Sequence, residues 1–211
     1  MGPTATGKTD LSLALAGAVP MEILVADSRQ VYRGMDIGTA KVGPAARARV
    51  PHHLINLVDP DQRFTVADWV ELARGLLPDV AARTRLAMVV GGTGLYVTAL
   101  VDGFNFASQP WSPEKRERLA AELEAEGVQE LADRLSRLDP AIAARTDLRN
   151  PRRVLRALER AELVGDAGAR TVGLDPYPAP LAVLGLVRPW AVLDRRIGER
   201  AEQMFASGLL D

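Results

Sequence analysis

The sequence predicts an α/β protein with a parallel-sheet core and an inserted α-helical domain, and three observations carry that expectation. Over the first hundred residues, short apolar runs rich in β-formers alternate with helix-patterned stretches. These runs are EILVAD at 22–27, LINLV at 54–58 and LAMVV at 86–90, with a periodic stretch over 65–83 before the last. From about Ser108 to Val164 only helical patterning remains. An apolar run, LAVLGLV at 181–187, then resumes the sheet pattern, and a helix follows over about 190–207. The expected division is 1–107 for the first part of the core, 108–164 for the helical insert and 165–211 for the return to the core.

Each element has its own local signal. The glycine-rich opening leads into a helix with Leu11, Leu13 and Leu15 set among alanines, expected to be amphipathic. Thr65-Val-Ala-Asp68 has the form of a capping box, and Pro78 predicts either a kink or an early stop. Ser112-Pro113, Asp139-Pro140 and Asn150-Pro151 each pair an N-cap residue with proline at the first helical position. Residues 165–180, rich in Gly and Pro, read as a connection. Only Met1 precedes Gly2, where a phosphate loop ordinarily hangs from a strand, and no stop signal follows Leu209, so the chain is expected to be cut at both ends.

Composition removes several classes of function. The 211 residues are 47% hydrophobic and 25% charged, with 26 Lys+Arg against 27 Asp+Glu, which is ordinary for a globular domain. Zero cysteines exclude disulfide scaffolds, thiolate metal sites and cysteine nucleophiles, and two adjacent histidines, His52 and His53, are too few for a histidine metal cage and read as a structural pair. No apolar run is long enough to span a bilayer and no signal peptide is present, so a cytoplasmic protein without membrane association is expected. The net charge of −1 hides a local excess: Arg145, Arg149, Arg152, Arg153, Arg156 and Arg160 stand against only Asp147 and Glu159. Such a basic stripe suits a phosphate backbone, with a solvated helix face as the competing explanation.

The chemistry begins at Gly2-Pro3-Thr4-Ala5-Thr6-Gly7-Lys8-Thr9, which matches G-x-x-x-x-G-K-[ST]. Such a loop cradles phosphate oxygens with backbone N–H groups, Lys8 reaches the terminal phosphates, and the Thr9 hydroxyl can ligate Mg²⁺. The motif predicts polyphosphate or nucleotide binding of the ATP type, without saying what becomes of the ligand. The strand at 86–90 ends in Gly91-Gly92-Thr93-Gly94 rather than in the acid of a hydrolysing ATPase. The run at 22–27 does end in an acid, so Asp27 is a candidate base or metal ligand, with a turn aspartate as the alternative.

Five segments carry a resemblance to a known family: residues 2–9, the block DSRQVYRGMDIGTAK at 27–41, PHHL at 51–54, GGTGLY at 91–96 and NPRRVLRALE at 150–159. Together they closely resemble the tRNA dimethylallyltransferases, over nearly the whole chain. The resemblance implies a P-loop NTPase-like core holding dimethylallyl diphosphate and an inserted helical domain gripping the anticodon stem-loop of tRNA. It implies transfer of the dimethylallyl group to N6 of the adenosine next to the anticodon, position 37, by a cytoplasmic monomer with Mg²⁺ as cofactor. On this resemblance Asp27 is the base, residues Asp27, Ser28, Arg29 and Gln30 meet the target nucleotide, and Thr93 interacts with the RNA and the transferring group. Arg152, Arg153, Val154, Leu155 and Arg156 then become tRNA contacts, and Arg116 a further one. The stretch 165–180 departs from the family pattern. A prenyltransferase for free adenine nucleotides, a small-molecule kinase and a non-catalytic nucleotide-binding module remain as alternatives.

Overall fold

The computed structural model describes residues 1–104, 112–164 and 174–210. The chain forms two compact units, Met1–Phe104 with Leu174–Asp211, and Asn105–Gly173. The expected start of the insert near Ser108 and the first part of the connection at 165–180 lie outside the described residues.

In the first unit, three parallel strands run in the order β2-β1-β3. These are β1 (Met21–Ala26), β2 (His52–His53) and β3 (Leu86–Gly91). Every residue of β1 is buried, which is why residues 23–26 of this central strand read as a continuous apolar run instead of an alternating one. Ile23 and Val25 pack with Val50, Leu13, Ala16, Ile55 and Val90. The helix α3 (Val66–Ala82) is buried through Trp69, Val70, Ala73, Leu77 and Val80. The Trp69 indole N–H donates to the Val25 carbonyl at 2.9 Å, and its ring stacks on Tyr96 of α4 (Gly94–Val101) with centroids 5.0 Å apart. A buried indole is thus both packed and satisfied. The expected capping box is present: the Thr65 side chain accepts from Asp68 N, and the Asp68 carboxylate accepts from Thr65 N at 2.7 Å. Pro78 does not stop α3, which continues to Ala82.

Three expectations need correction. The run at 54–58 is not a strand, because Leu54 and Asn56 take φ of 63° and 55°, left-handed values that no extended ladder accommodates. Only His52 and His53 pair with β1, and Val58 makes a single bridge to Tyr32. The run at 181–187 is not a strand either: it has one partner residue, with the Met1 amino group donating to Leu184 O at 2.6 Å and Leu186 N to Met1 O at 2.8 Å. Finally, α1 (Lys8–Ala16) buries Ser12 rather than its leucines. Positions 11, 13 and 15 do not fall on one face of a 3.6-residue period, so Leu11, Leu13 and Leu15 are all half-buried. The unit also holds the short α2 (Pro44–Arg49), and its last helix is α8 (Trp190–Ala206).

The second unit is built from α5 (Pro113–Leu138), α6 (Pro140–Ala143) and α7 (Pro151–Val164), with α5 broken at Gly127, whose φ of 83° and ψ of 170° are non-helical. Its core is Leu119, Leu131, Ala132, Leu135, Ala143, Val154, Ala157, Leu158 and Ala161. All three foreseen caps are in place: Ser112 Oγ accepts from Lys115 N, Asp139 Oδ1 from Ile142 N and Asn150 Oδ1 from Arg153 N.

One buried charge interrupts the apolar sheet. Glu22, 3% exposed, accepts from Arg83 Nε at 2.8 Å and Arg83 Nη2 at 2.9 Å and lies 2.7 Å from His53 Nε2. The Arg83 hydrogen bonds hold its carboxyl at about 2, against the opposing pull of burial. A folded pKa below the unfolded one contributes stability that is complete above about 4.5 and is lost as the pH falls through about 2. Glu22→Gln is therefore expected to destabilise the protein by about 3 kcal/mol near neutral pH. In urea titrations of both proteins from pH 7 to pH 2.5, the difference should shrink only below about pH 4; a pH-independent difference would contradict the assignment.

Candidate active site

The phosphate-loop sequence folds as a tight loop ahead of α1. Ala5 at φ 60° and Gly7 at φ 94° turn it twice, and Gly7 is the residue before the first helical turn. The loop carbonyls are taken up by cations. Lys8 Nζ donates to Gly2 O at 2.8 Å and Pro3 O at 2.6 Å, Arg188 Nε to Thr6 O at 2.9 Å and Arg196 Nε to Ala5 O at 2.8 Å. With its carbonyls engaged, the loop has its N–H groups and the positive end of α1 to offer an anion. Thr6 is buried, its hydroxyl donating to Pro3 O at 2.9 Å.

The loop borders a cleft of about 590 Å³. From the loop and α1, the cleft is lined by Thr4, Ala5, Gly7, Lys8, Thr9, Asp10 and Ser12. From the sheet and its ends come Ile23, Val25, Asp27, Gln30, His52, Val90, Gly91 and Gly92, and from α8 come Arg196, Glu199, Arg200 and Gln203. Gly2, Pro3, Thr6, Ser28, Arg29 and Thr93 are not part of its lining. Burial pushes the Lys8 ammonium below its ordinary value; Asp27 opposes that shift and Arg200 adds to it. Burial likewise lowers His52, whose Nδ1 is fixed 2.7 Å from Val50 O.

Asp27 follows the last residue of β1, and its Oδ1 accepts from the N–H groups of Arg29 at 2.9 Å and Gln30 at 3.3 Å. The turn alternative is thus present, and the same hydrogen bonds fix the orientation of a carboxylate on the cleft that Lys8 also lines. The second glycine-rich turn is joined to this one. Thr93 N donates to Ala26 O at 3.1 Å, and Thr93 Oγ1 accepts from Ser28 N at 3.0 Å. Gln30 Nε2 donates to Thr39 O at 3.2 Å. Lys41 anchors the rest of the 27–41 block: its buried Nζ reaches Tyr32 O and Asn56 Oδ1, each at 2.6 Å, and Asp36 Oδ1 at 2.8 Å.

Sequence reasoning missed the α8 arginines. Arg200 Nη1 donates to Thr4 Oγ1 at 3.1 Å and Nη2 to Thr39 O at 3.3 Å, so one guanidinium spans the phosphate loop and the 27–41 block. The available signal was the i,i+4 spacing of Arg196 and Arg200 on one helix face, which ordinarily marks only a solvated surface.

In the helical unit, the residues expected to meet tRNA divide by environment. Arg152 and Arg153 are exposed, with Arg153 3.5 Å from Asp147. Val154 is fully buried in the unit's core and Leu155 packs against that core, so neither side chain is presented at the surface as the arginines are. Arg116 and Arg156 both bond the buried Glu159, Arg116 Nη2 at 2.5 Å and Arg156 Nη1 at 2.8 Å. Burial would raise the Glu159 carboxyl, but these two arginines and the Ser112 N–H hold it below its ordinary value. The stripe therefore has an acidic partner, though one seated inside the unit.

Among the described residues, no group of three or more His, Cys, Asp or Glu could hold a metal, and no helix is long and apolar enough to cross a membrane. A sequence-family model described as IPP transferase matches residues 30–211. A tRNA dimethylallyltransferase of Roseiflexus sp. is 47% identical over the whole of this chain, which spans 69% of that relative. One of Halalkalibacterium halodurans is 44% identical over the whole chain and 68% of its own length. Among solved structures, the full-length tRNA isopentenylpyrophosphate transferase of Bacillus halodurans matches with TM-score 0.65 and 44% identity, covering 99% of this chain and 65% of that one. A eukaryotic dimethylallyltransferase acting on tRNA matches with TM-score 0.72 and 26% identity, covering 99% of this chain and 52% of its own. The core thus has the P-loop NTPase-like fold, and the chain belongs to the IPP transferase family, that of the tRNA dimethylallyltransferases.

Proposed function

We propose that this chain transfers the dimethylallyl group of dimethylallyl diphosphate to N6 of the adenosine next to the anticodon of tRNA, acting as a cytoplasmic monomer. The observation that carries this reading is the convergence of Lys8 and Asp27 on one cleft, a cation for a diphosphate and an oriented carboxylate for an amine. In the reaction the bond from the allylic carbon to oxygen breaks and its electron pair leaves on diphosphate. The bond from N6 to that carbon forms, and the N6 proton passes to the Asp27 carboxylate. Adenine N6 is a weak nucleophile because its lone pair is delocalised into the ring, so a base acting as the bond forms lowers the barrier. Asp27 is suited to that task because its turn hydrogen bonds leave it little freedom to reorient. Lys8, the loop N–H groups and Arg200 stabilise the charge growing on the leaving group. Thr93, through Ser28, keeps the target-binding turn against the end of β3.

Mg²⁺ fits this donor set: such an ion needs only one or two protein oxygens and otherwise takes diphosphate oxygens and water. Thr9, which lines the cleft next to Lys8, would hold it through its hydroxyl, and it would supply charge neutralisation of the leaving group. The exposed Arg152 and Arg153, with Arg156 and Arg116, are the contacts to the tRNA backbone.

Lys8→Ala is expected to lower turnover strongly, by about 10²–10³-fold, while tRNA binding by filter retention stays within about twofold of the parent. Unchanged turnover would take the loop out of the mechanism. Asp27→Asn keeps size and hydrogen bonding but cannot accept a proton near neutral pH. Its single-turnover rate with both substrates saturating should fall about 10²–10⁴-fold, and raising Mg²⁺ should not restore it. Replacing Arg152, Arg153 and Arg156 together by Gln should weaken tRNA binding and flatten the slope of log affinity against log salt by about two to three. Donor binding should be unaffected, and an unaltered slope would mean that the stripe is only a solvated face.

A further inference from the structure

Among the described residues of the helical unit is a fully buried carboxylate that the proposed reaction does not use. Glu159 of α7 is 1% exposed, and it accepts from Arg116 Nη2, Arg156 Nη1 and, at 3.3 Å, the Ser112 backbone N–H. Arg116 comes from the first turns of α5 and Arg156 from the turn of α7 before Glu159, so one carboxylate binds guanidiniums from two helices. Both arginine side chains remain more than a third exposed, at 39% and 35%. Each gives one end of its fork to Glu159 while its side chain as a whole stays partly at the surface, and a guanidinium's five N–H donors allow more than one partner at a time.

We propose that Glu159 is a positioning residue for tRNA recognition: from beneath the surface it fixes the orientation of the Arg116 and Arg156 guanidiniums that meet the RNA backbone. This inference rests on the reading of the helical unit as the part that grips tRNA. The reason lies in two opposed effects. By Coulomb's law alone a carboxylate next to two arginines is a liability to a polyanion partner, because it reduces the charge of the group from +2 to +1. Against this, an arginine free in solvent loses rotamer freedom when it docks on a phosphate, whereas one already clamped at 2.5–2.8 Å has lost it beforehand. Burial settles which effect wins. The carboxylate lies inside the unit while both arginine side chains reach its surface, so Glu159 weakens their attraction for a polyanion less than it gains them in orientation.

The two effects predict opposite signs for Glu159→Gln, a substitution of nearly equal volume. If charge dominates, removing the negative group tightens tRNA binding and steepens its salt dependence. If positioning dominates, binding weakens despite the gain of positive charge, by about tenfold, as expected for groups coupled in one hydrogen-bond network. The test measures tRNA affinity and its salt slope for the whole chain, Glu159→Gln, Arg116→Gln/Arg156→Gln and the triple variant, with far-UV circular dichroism as the check on folding. The expected result is weaker binding by Glu159→Gln, a KM for tRNA that rises while the KM for dimethylallyl diphosphate stays level, and less than a twofold further effect in the variant already lacking both arginines. Affinity equal to or above the parent overturns the proposal, and so does a loss that persists in full without the arginines, which would mark Glu159 as structural only. If Arg116→Gln/Arg156→Gln itself leaves tRNA binding unchanged, it is the tRNA reading of these arginines that fails, and the proposal fails with it. Should Glu159→Gln not fold, Arg116→Lys replaces it: the charge stays and the fork is lost, so positioning predicts weaker binding at an unchanged salt slope, and unchanged affinity overturns the proposal.

Discussion

The site depends on how closely β1 and β3 approach at their C-terminal ends. Ala26 and Gly91 are paired there, and a Cβ placed on Gly91 would sit 1.9 Å from the Ala26 carbonyl oxygen, a distance no side chain can occupy. Glycine at this position lets the carbonyl of Ala26 accept from Thr93 N, and that bond brings the second glycine-rich turn against Asp27 and Ser28. Parallel strands present their C-terminal ends on one side of a sheet, and here that side holds both turns. The acid and the threonine are thus brought together first by backbone geometry, and the Thr93 side chain then adds its bond to Ser28 N.

Two carboxylates with no direct part in the chemistry organise the two units in the same way. Glu22 is the second residue of β1 and Asp27 follows its end, so about 16 Å of strand separates the buried structural acid from the half-buried one that lines the cleft. An uncompensated charge inside a protein costs several kcal/mol, and each buried acid is answered by arginines from a different element: Arg83 at the end of α3 for Glu22, and Arg116 of α5 for Glu159. Each pairing joins segments distant in sequence, and in both cases the arginine is the exposed partner. Hydration of the arginine's outer edge reduces what the pair costs to bury.

The elements with local chemical signals were legible in the sequence, and those that depend on distant partners were not. The capping box at Thr65, the three N-cap and proline pairs and the buried run of β1 all follow from a few adjacent residues, and each is found where expected. The phosphate loop and Asp27 were readable because motif and strand end are both local patterns. The strand expected at 54–58 failed on backbone conformation, since apolar residues also suit a compact loop whose Leu54 faces the core. The last strand failed because a ladder requires a neighbour, which no local pattern specifies. Arg188, Arg196 and Arg200 were overlooked for a related reason: nothing within nineteen residues of α8 and its lead-in indicates that these side chains end on the loop at residues 4–6. The pairing of Arg116 with Glu159 is another nonlocal outcome, and it joins α5 to the acid that also binds Arg156 of the stripe.

The sequence separations of those loop contacts, 182, 191 and 196 residues, have a consequence for the order in which the protein is made. The loop leaves the ribosome first and its arginine partners last. At ordinary elongation rates of about 5–20 residues per second, roughly 10–40 s pass between the two events. During that interval residues 112–162, which hold ion pairs and caps of the helical unit such as Arg116–Glu159, Arg134–Glu162 and the Ser112 cap, are synthesised. The nascent chain therefore has the residues of its helical core before its phosphate loop has the full set of side chains that hold its carbonyls, and those loop contacts are made only when the second arm of the core returns to the first.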